Sequence, residues 1–282
     1  MKGFINLLKP EGMSSAYAVT SVKKKFNMPC GHMGTLDPMA SGVLPVGLGH
    51  TSRMFDYLLD KSKTYKAQFQ FGYTTDTLDV TGQTTDKTSV IPTKEQIEKA
   101  LGDFIGEIDQ IPPKYSAKCV NGKRGYQLAR SGVEFELQPK RVCILDFTLD
   151  NQIDQNTFEF TIKCKGGTYI RSLARDVGEK VNSLGVMSKL ARVQSGIFNL
   201  DNGVWVTDLI DSDNPQKYLI PPENAVDFPI ARLTDRQATR ILNGLFDNLG
   251  YADGPYRVFN QNEFWGIGQS KDGILRIKAY VR

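Results

Sequence analysis

Apolar and polar residues alternate along KTYKAQFQFG: Tyr65, Ala67, Phe69 and Phe71 fall on one side, and Lys66, Gln68 and Gln70 on the other. A period of two predicts a half-buried strand. TFEFTIKCK repeats the pattern with Phe158, Phe160, Ile162 and Cys164 on one face, and FINLL and KRVCILDFTL read as further strands. Elsewhere the period lengthens. SSAYAVTSVKKKF spaces Val19, Val22 and Phe26 as a helix does, behind a serine start. GTYIRSLARDVGEKV places Ile170, Leu173, Ala174 and Val177 on one helical face. TKEQIEKALGDFIG opens on a capping-box pair, Thr93 and Gln96, and TSRMFDYLL reads as a short helix. Antiparallel strands among helices, without regular βαβ repetition, predict an α+β fold on a mixed sheet.

Acids and four prolines cluster in residues 211–230, DSDNPQKYLIPPENAVDFPI, which marks a boundary candidate. Beyond it a capped helix, TDRQATRILNG, precedes the strand signals YRVFN, EFWGIGQ and ILRIKAYV, as expected of a small β module over 231–282. Residues 1–230 then form the larger domain. The start of the chain offers only a short apolar run before Lys9-Pro10, and no later run is long enough to cross a bilayer, so a cytoplasmic protein without a membrane partner is expected.

The 282 residues are 40% hydrophobic and 23% charged, with a net charge of +4, as in ordinary globular proteins. The distribution of charge is more informative than its sum. Residues 112–141 carry seven Lys/Arg against two Glu, whereas residues 201–229 carry one Lys against six acids. A basic arm that meets phosphates fits the first segment, and its Tyr115 and Tyr126 add faces on which bases can stack; a solvated surface hairpin is the plain alternative. Cys30, Cys119, Cys143 and Cys164 are scattered without a CxxC, so reduced thiols are expected and a zinc site is not.

Residues 31–49, GHMGTLDPMASGVLPVGLG, hold five glycines, two prolines and a single acid, Asp37. Such a density of turn-formers describes a shaped loop. Asp37 before Pro38 reads either as a side chain capping its own turn or as a carboxylate held for nucleophilic or base chemistry. A phosphate cradle fits less well, because the glycine spacing is not that of a P-loop and Asp37 would repel the anion. Tyr65 alone reads as core, Arg171 as a helix arginine pairing with Asp176 or a neighbour, and His32 as a satisfied imidazole.

Taken together, six stretches resemble the TruB-type tRNA pseudouridine-55 synthases. In order they are NLLKPEGMSS, GHMGTLDPMASGVLPVGLG, KTYKAQFQFGYTTDTLDVTG, IPPKYSAKCVNGKRGYQLARSG, CKGGTYIRSLARDVG and KLARVQSG, covering most of residues 5–196. The chain departs from the family at Ser14-Ser15, where Thr-Ser is more usual, at Cys119, where lysine is common, and in its short C-terminal module.

The resemblance implies a pseudouridine synthase core, a mixed sheet flanked by helices, with a PUA-like β module behind it. It implies isomerisation of a uridine in the T loop of tRNA without metal or cofactor. Asp37 is then the catalytic aspartate, Arg171 its cationic partner and Tyr65 the ring that stacks on the flipped base. Tyr169 and Leu190 complete the pocket, His32 fills the gap in the T loop, and Lys9 supports the aspartate loop. The basic segment, with Lys123 and Arg124, is the clamp on the T arm. A monomer with no obligatory protein partner is expected. A same-family synthase working on another RNA, or an RNA-binding protein without catalysis, are the alternatives.

Overall fold

The computed structural model describes residues 2–58, 62–116, 135, 137–246 and 248–281, with the backbone of 119–120 and 123–124. The first elements are β1 (Gly3–Lys9), α1 (Ser15–Phe26), β2 (Cys30–His32) and β3 (Ser41–Leu48), then a 3-10 segment, Gly49–Tyr57. Next come β4 (Lys63–Phe71), β5 (Tyr73–Thr75), β6 (Thr84–Lys87), α2 (Lys94–Leu101) and β7 (Gly106–Gln110). The short pair β8 (Cys119–Val120) and β9 (Lys123–Arg124) precedes β10 (Lys140–Gln152), β11 (Thr157–Cys164), α3 (Ile170–Lys180) and β12 (Gly185–Ser195). After β13 (Phe198–Asn199), β14 (Val204–Trp205), α4 (Val206–Asp211) and β15 (Leu219–Ile220) the chain enters its last sheet. That sheet comprises β16 (Ile230–Leu233), β17 (Asn248–Tyr251), β18 (Gly254–Asn260), β19 (Glu263–Lys271) and β20 (Gly273–Tyr280), with α5 (Asp235–Leu242) after its first strand.

The chain divides into two compact units, Met1–Pro38 with Gly42–Lys61 and Ser195–Arg282, and Met39–Ser41 with Ser62–Gln194. In the first, every residue of β1 is buried. It runs antiparallel to β3 from Gly3↔Leu48 to Lys9↔Gly42, parallel to β14, and antiparallel to β15. A strand covered on both faces is apolar on both, which explains why FINLL does not alternate; its one polar residue, Asn6, is buried and donates to the Asn199 carbonyl at 2.7 Å. The core here joins Phe4, Leu8, Val43 and Phe198 to Phe264, Ile267 and Ala279. Ala225 and Val226, inside the proline-rich stretch, belong to the same core. The segment expected to be a short helix is a 3-10 turn that buries Thr51 and Met54, a spacing of three that suits that geometry. In the last sheet the order is β16-β18-β19-β20-β17, with β16 parallel to β18. Its own core centres on Tyr256, Val258, Trp265 and Leu275, and Thr234 with Gln237 forms the capping box that opens α5.

In the second unit β4, β11, β10 and β7 form an antiparallel run, and β12 lies beside β4. Tyr65, Ala67, Phe69 and Phe71 are the buried face of β4, as their alternation predicts. Phe69, Phe147 and Phe160 meet edge to face or tilted, the tightest pair being Phe69 and Phe160 at 4.7 Å between ring centres. The Thr93–Gln96 capping box opens α2, which tightens into a 3-10 turn at Gly102–Phe104. Helix α3 buries Ile170, Leu173, Ala174 and Val177, and also Arg171 and Ser172. Polar residues are buried on a helix only where they find partners, and those of Arg171 are described with the site.

Candidate active site

Asp37 is half-buried between β2 and β3, and the backbone on either side of it is tied down. The Ser15 hydroxyl accepts from the Leu36 N–H at 2.9 Å and donates to the Leu36 carbonyl at 2.7 Å. The Pro38 carbonyl accepts from the Gly12 N–H at 2.8 Å and from the Lys9 ammonium at 3.3 Å. Lys9 is fully buried, and its ammonium also donates to the carbonyls of Pro10 and Met13 at 2.9 and 2.7 Å. The loop thus solvates a buried charge with its own carbonyls, and in return its path is fixed. Gly34 and Gly42 bracket the aspartate at φ +87° and +99°, where a side chain would be strained. The result is a carboxylate whose main chain has little freedom to move.

Arg171 stands in the first turn of α3 with its side chain 8% exposed. Its Nη1 donates to the Thr77 carbonyl and its Nη2 to the Tyr115 carbonyl, each at 2.9 Å. Nη1 also lies 3.4 Å from Oδ2 of Asp79, itself buried. The Asp79 carboxylate further accepts from the Thr77 hydroxyl at 2.8 Å, the Thr81 N–H at 3.0 Å and the Thr81 hydroxyl at 2.5 Å. Both charges are therefore neutralised and hydrogen-bonded, the condition under which a buried ion pair is tolerated. The pairing with Asp176 expected of a helix arginine is made by Arg175 instead, at 2.6 Å. Burial pushes the Asp176 carboxyl above its ordinary range against the pull of Arg175.

Tyr65 is buried on β4 opposite Ile162 of β11, Leu190 is buried on β12, and Tyr169 is the half-exposed cap residue of α3. His32 ends β2, paired with Val46 of β3. The side chains of Lys123 and Arg124 lie outside the described residues; their backbone pairs with Val120 and Cys119. Sequence reasoning passed over Asp79, Ser15 and Gln110. The first sits in TTDTLDVTG, and a carboxylate flanked by threonines two residues away on each side is a signal that could have found it. Ser15 reads as a helix start, and Gln110 carries no local signal at all. Among the described residues no group of His, Cys, Asp and Glu could hold a metal ion, and no helix is long and apolar enough to cross a membrane.

Comparison with solved structures finds the same fold in an H/ACA RNP bound to a substrate RNA containing 2′-deoxyuridine, with a TM-score of 0.71 at 23% identity over 99% of this chain and 85% of that one. A Cbf5–Nop10–Gar1 complex aligns with a TM-score of 0.69 at 25% identity, covering 98% of this chain and 79% of that one. The family model for the N-terminal domain of TruB family pseudouridylate synthases matches residues 23–170. Among curated relatives, tRNA pseudouridine synthase B of Clostridium kluyveri is 39% identical over 291 residues, covering 100% of both chains. The tRNA pseudouridine synthase B of Ehrlichia canis is 41% identical over 226 residues, 78% of this chain and 75% of that one. The family model and the curated relatives are of one class, the pseudouridylate synthases. Within it, the chain belongs to the TruB family.

Proposed function

We propose that this protein isomerises uridine 55 in the T loop of tRNA to pseudouridine. Relatives named tRNA pseudouridine synthase B match the chain from end to end, which supports tRNA as the substrate class. The observation that carries the chemistry is Asp37 on a backbone pinned at both Leu36 and Pro38. In the reaction the N1–C1′ bond breaks, the uracil turns while bound, C5 joins C1′, and C5 loses a proton as N1 gains one. The atoms balance without a redox partner or donated group. A carboxylate serves this either by attacking C1′ or by taking the C2′ proton to give a glycal, and both routes need it ionised and fixed in direction.

In this reading Arg171 favours the ionised form of Asp37, Tyr65 stacks on the extruded base, and Tyr169 and Leu190 wall the pocket. His32 takes the space the base leaves in the T loop. Lys9 holds the aspartate loop through Pro38, as its burial and three carbonyl partners support. Lys123 and Arg124 belong to a basic clamp over about 112–141. Residues 1–230 carry the chemistry and 231–282 an RNA-binding module, in a monomer working in the cytoplasm without metal or cofactor.

Tritium release from tRNA bearing 5-tritiated uridine tests this, with the modified position mapped and Asp37→Asn as the comparison. Release by the wild type alone, at the T-loop uridine, is the expected result. No release from a wild type that still binds tRNA would replace the proposal with a non-catalytic binding role.

A further inference from the structure

The basic segment leaves the sheet from the antiparallel pair β7–β10, whose terminal rung is Gln110↔Lys140. Gln110 is 1% exposed. Its side-chain Nε2 donates to the Tyr169 carbonyl at 3.1 Å, and its Oε1 accepts from the Tyr169 N–H at 2.8 Å. Those two backbone groups flank the Cα of one residue. Holding both restrains φ and ψ of Tyr169, and with them the direction in which its side chain leaves the main chain. The reversed amide would set donor against donor and acceptor against acceptor, so the network fixes its orientation. Tyr169 makes no side-chain cap of its own, and Gln110 reaches it from β7 to hold the backbone of the cap residue itself.

The rest of this junction is fastened separately. The Ser172 hydroxyl donates to the Ile111 carbonyl at 2.8 Å, Arg175 Nη2 donates to the same oxygen at 3.1 Å, and Arg171 reaches the Tyr115 carbonyl. The strap of residues 110–115 is therefore held to α3 without the Gln110 side chain, and among the described residues that amide has one target, the backbone of Tyr169.

We infer that Gln110 is a positioning residue for the isomerisation: from the root of the basic segment it aims Tyr169 at the extruded uracil. The inference rests on the pocket role proposed for Tyr169. Gln110→Met keeps the length and volume of the side chain and removes both hydrogen bonds.

The test is single-turnover pseudouridine formation, with tRNA affinity by filter binding and thermal melting alongside. Gln110→Met is expected to lower the rate constant by about tenfold to a hundredfold, the scale on which small misplacements act, and to leave tRNA affinity unchanged. Ser172→Ala loosens the strap without touching Tyr169 and is expected to keep the wild-type rate. In a Tyr169→Ala background Gln110→Met is expected to add nothing, because it acts through that residue. A wild-type rate in Gln110→Met, an equal loss in Ser172→Ala, or losses that multiply in the double variant would each overturn the inference. Should Gln110→Met not fold, Gln110→Glu, which keeps the acceptor and loses the donor, enters the same cycle. A wild type that binds tRNA and forms no pseudouridine would bring down the functional reading and this inference together, whereas a fully active Gln110→Met brings down this inference alone.

Discussion

Arg171 and Asp79 form a buried ion pair, Nη1 to Oδ2 at 3.4 Å, with side chains 8% and 6% exposed. The pair ties the first turn of α3 to the turn that follows β5, and it draws in Thr77 and Thr81 through hydrogen bonds to the carboxylate. Removing Asp79 takes a counter-charge from a guanidinium in a place that water does not reach. Asp79→Ala is therefore expected to destabilise the fold by about 3–5 kcal/mol, measured by urea denaturation. Asp79→Asn keeps an acceptor for the Thr81 N–H and is expected to cost less. Equal losses for the two would show that shape rather than charge sets the effect.

Ser15 is expected to matter beyond the helix it begins. Its hydroxyl meets both the N–H and the carbonyl of Leu36, so Ser15→Ala leaves two backbone groups without those partners next to Asp37. A loss of about 1–3 kcal/mol in stability is expected from the stranded groups, together with a fall in the single-turnover rate. An unchanged tRNA affinity would place the defect in the aspartate loop. A rate equal to wild type would mean that the Lys9 and Gly12 contacts to Pro38 suffice.

Charge reversal of Lys123 and Arg124 is expected to weaken tRNA binding and to flatten its dependence on salt. Each lost phosphate contact lowers the slope of log K against log salt by about one. Filter binding over a range of potassium chloride concentrations measures it. An unaltered slope would remove these residues from the clamp.

Cys164 is buried on β11, and burial pushes its thiol up to about 11, against smaller opposing effects from Thr168 and Lys63. Below that pH the group is protonated, and the thiolate is the form that alkylates. Native protein at pH 8 is expected to leave Cys164 unmodified by iodoacetamide, and protein unfolded in urea to expose it, as read by peptide mass spectrometry. Rapid native labelling would show that the strand opens.

The local elements were legible in the chain because their causes are local. Alternation along β4 marks its buried face, since successive side chains of a strand point to opposite sides. Thr93 with Gln96 announces α2, since that pair satisfies its own helix end. The density of turn-formers around Asp37 likewise marks a constrained loop. Partners across the fold were not legible in the same way. Nothing near Arg171 in sequence says that its guanidinium will meet Asp79, Thr77 and Tyr115, because a helix period records which face is inward and not what waits there. Lys9 reads as a polar end to an apolar strand, yet folding buries it completely among the carbonyls of Pro10, Met13 and Pro38. The proline-rich stretch reads as a boundary, and Ala225 and Val226 within it belong to the same buried core as Phe4 and Ile267. The sequence by itself determined the faces, the caps and the shaped loop, since each follows from neighbours along the chain. Only the tertiary structure decided which buried charge answers which, because that depends on groups far apart in sequence that close packing brings within hydrogen-bond reach.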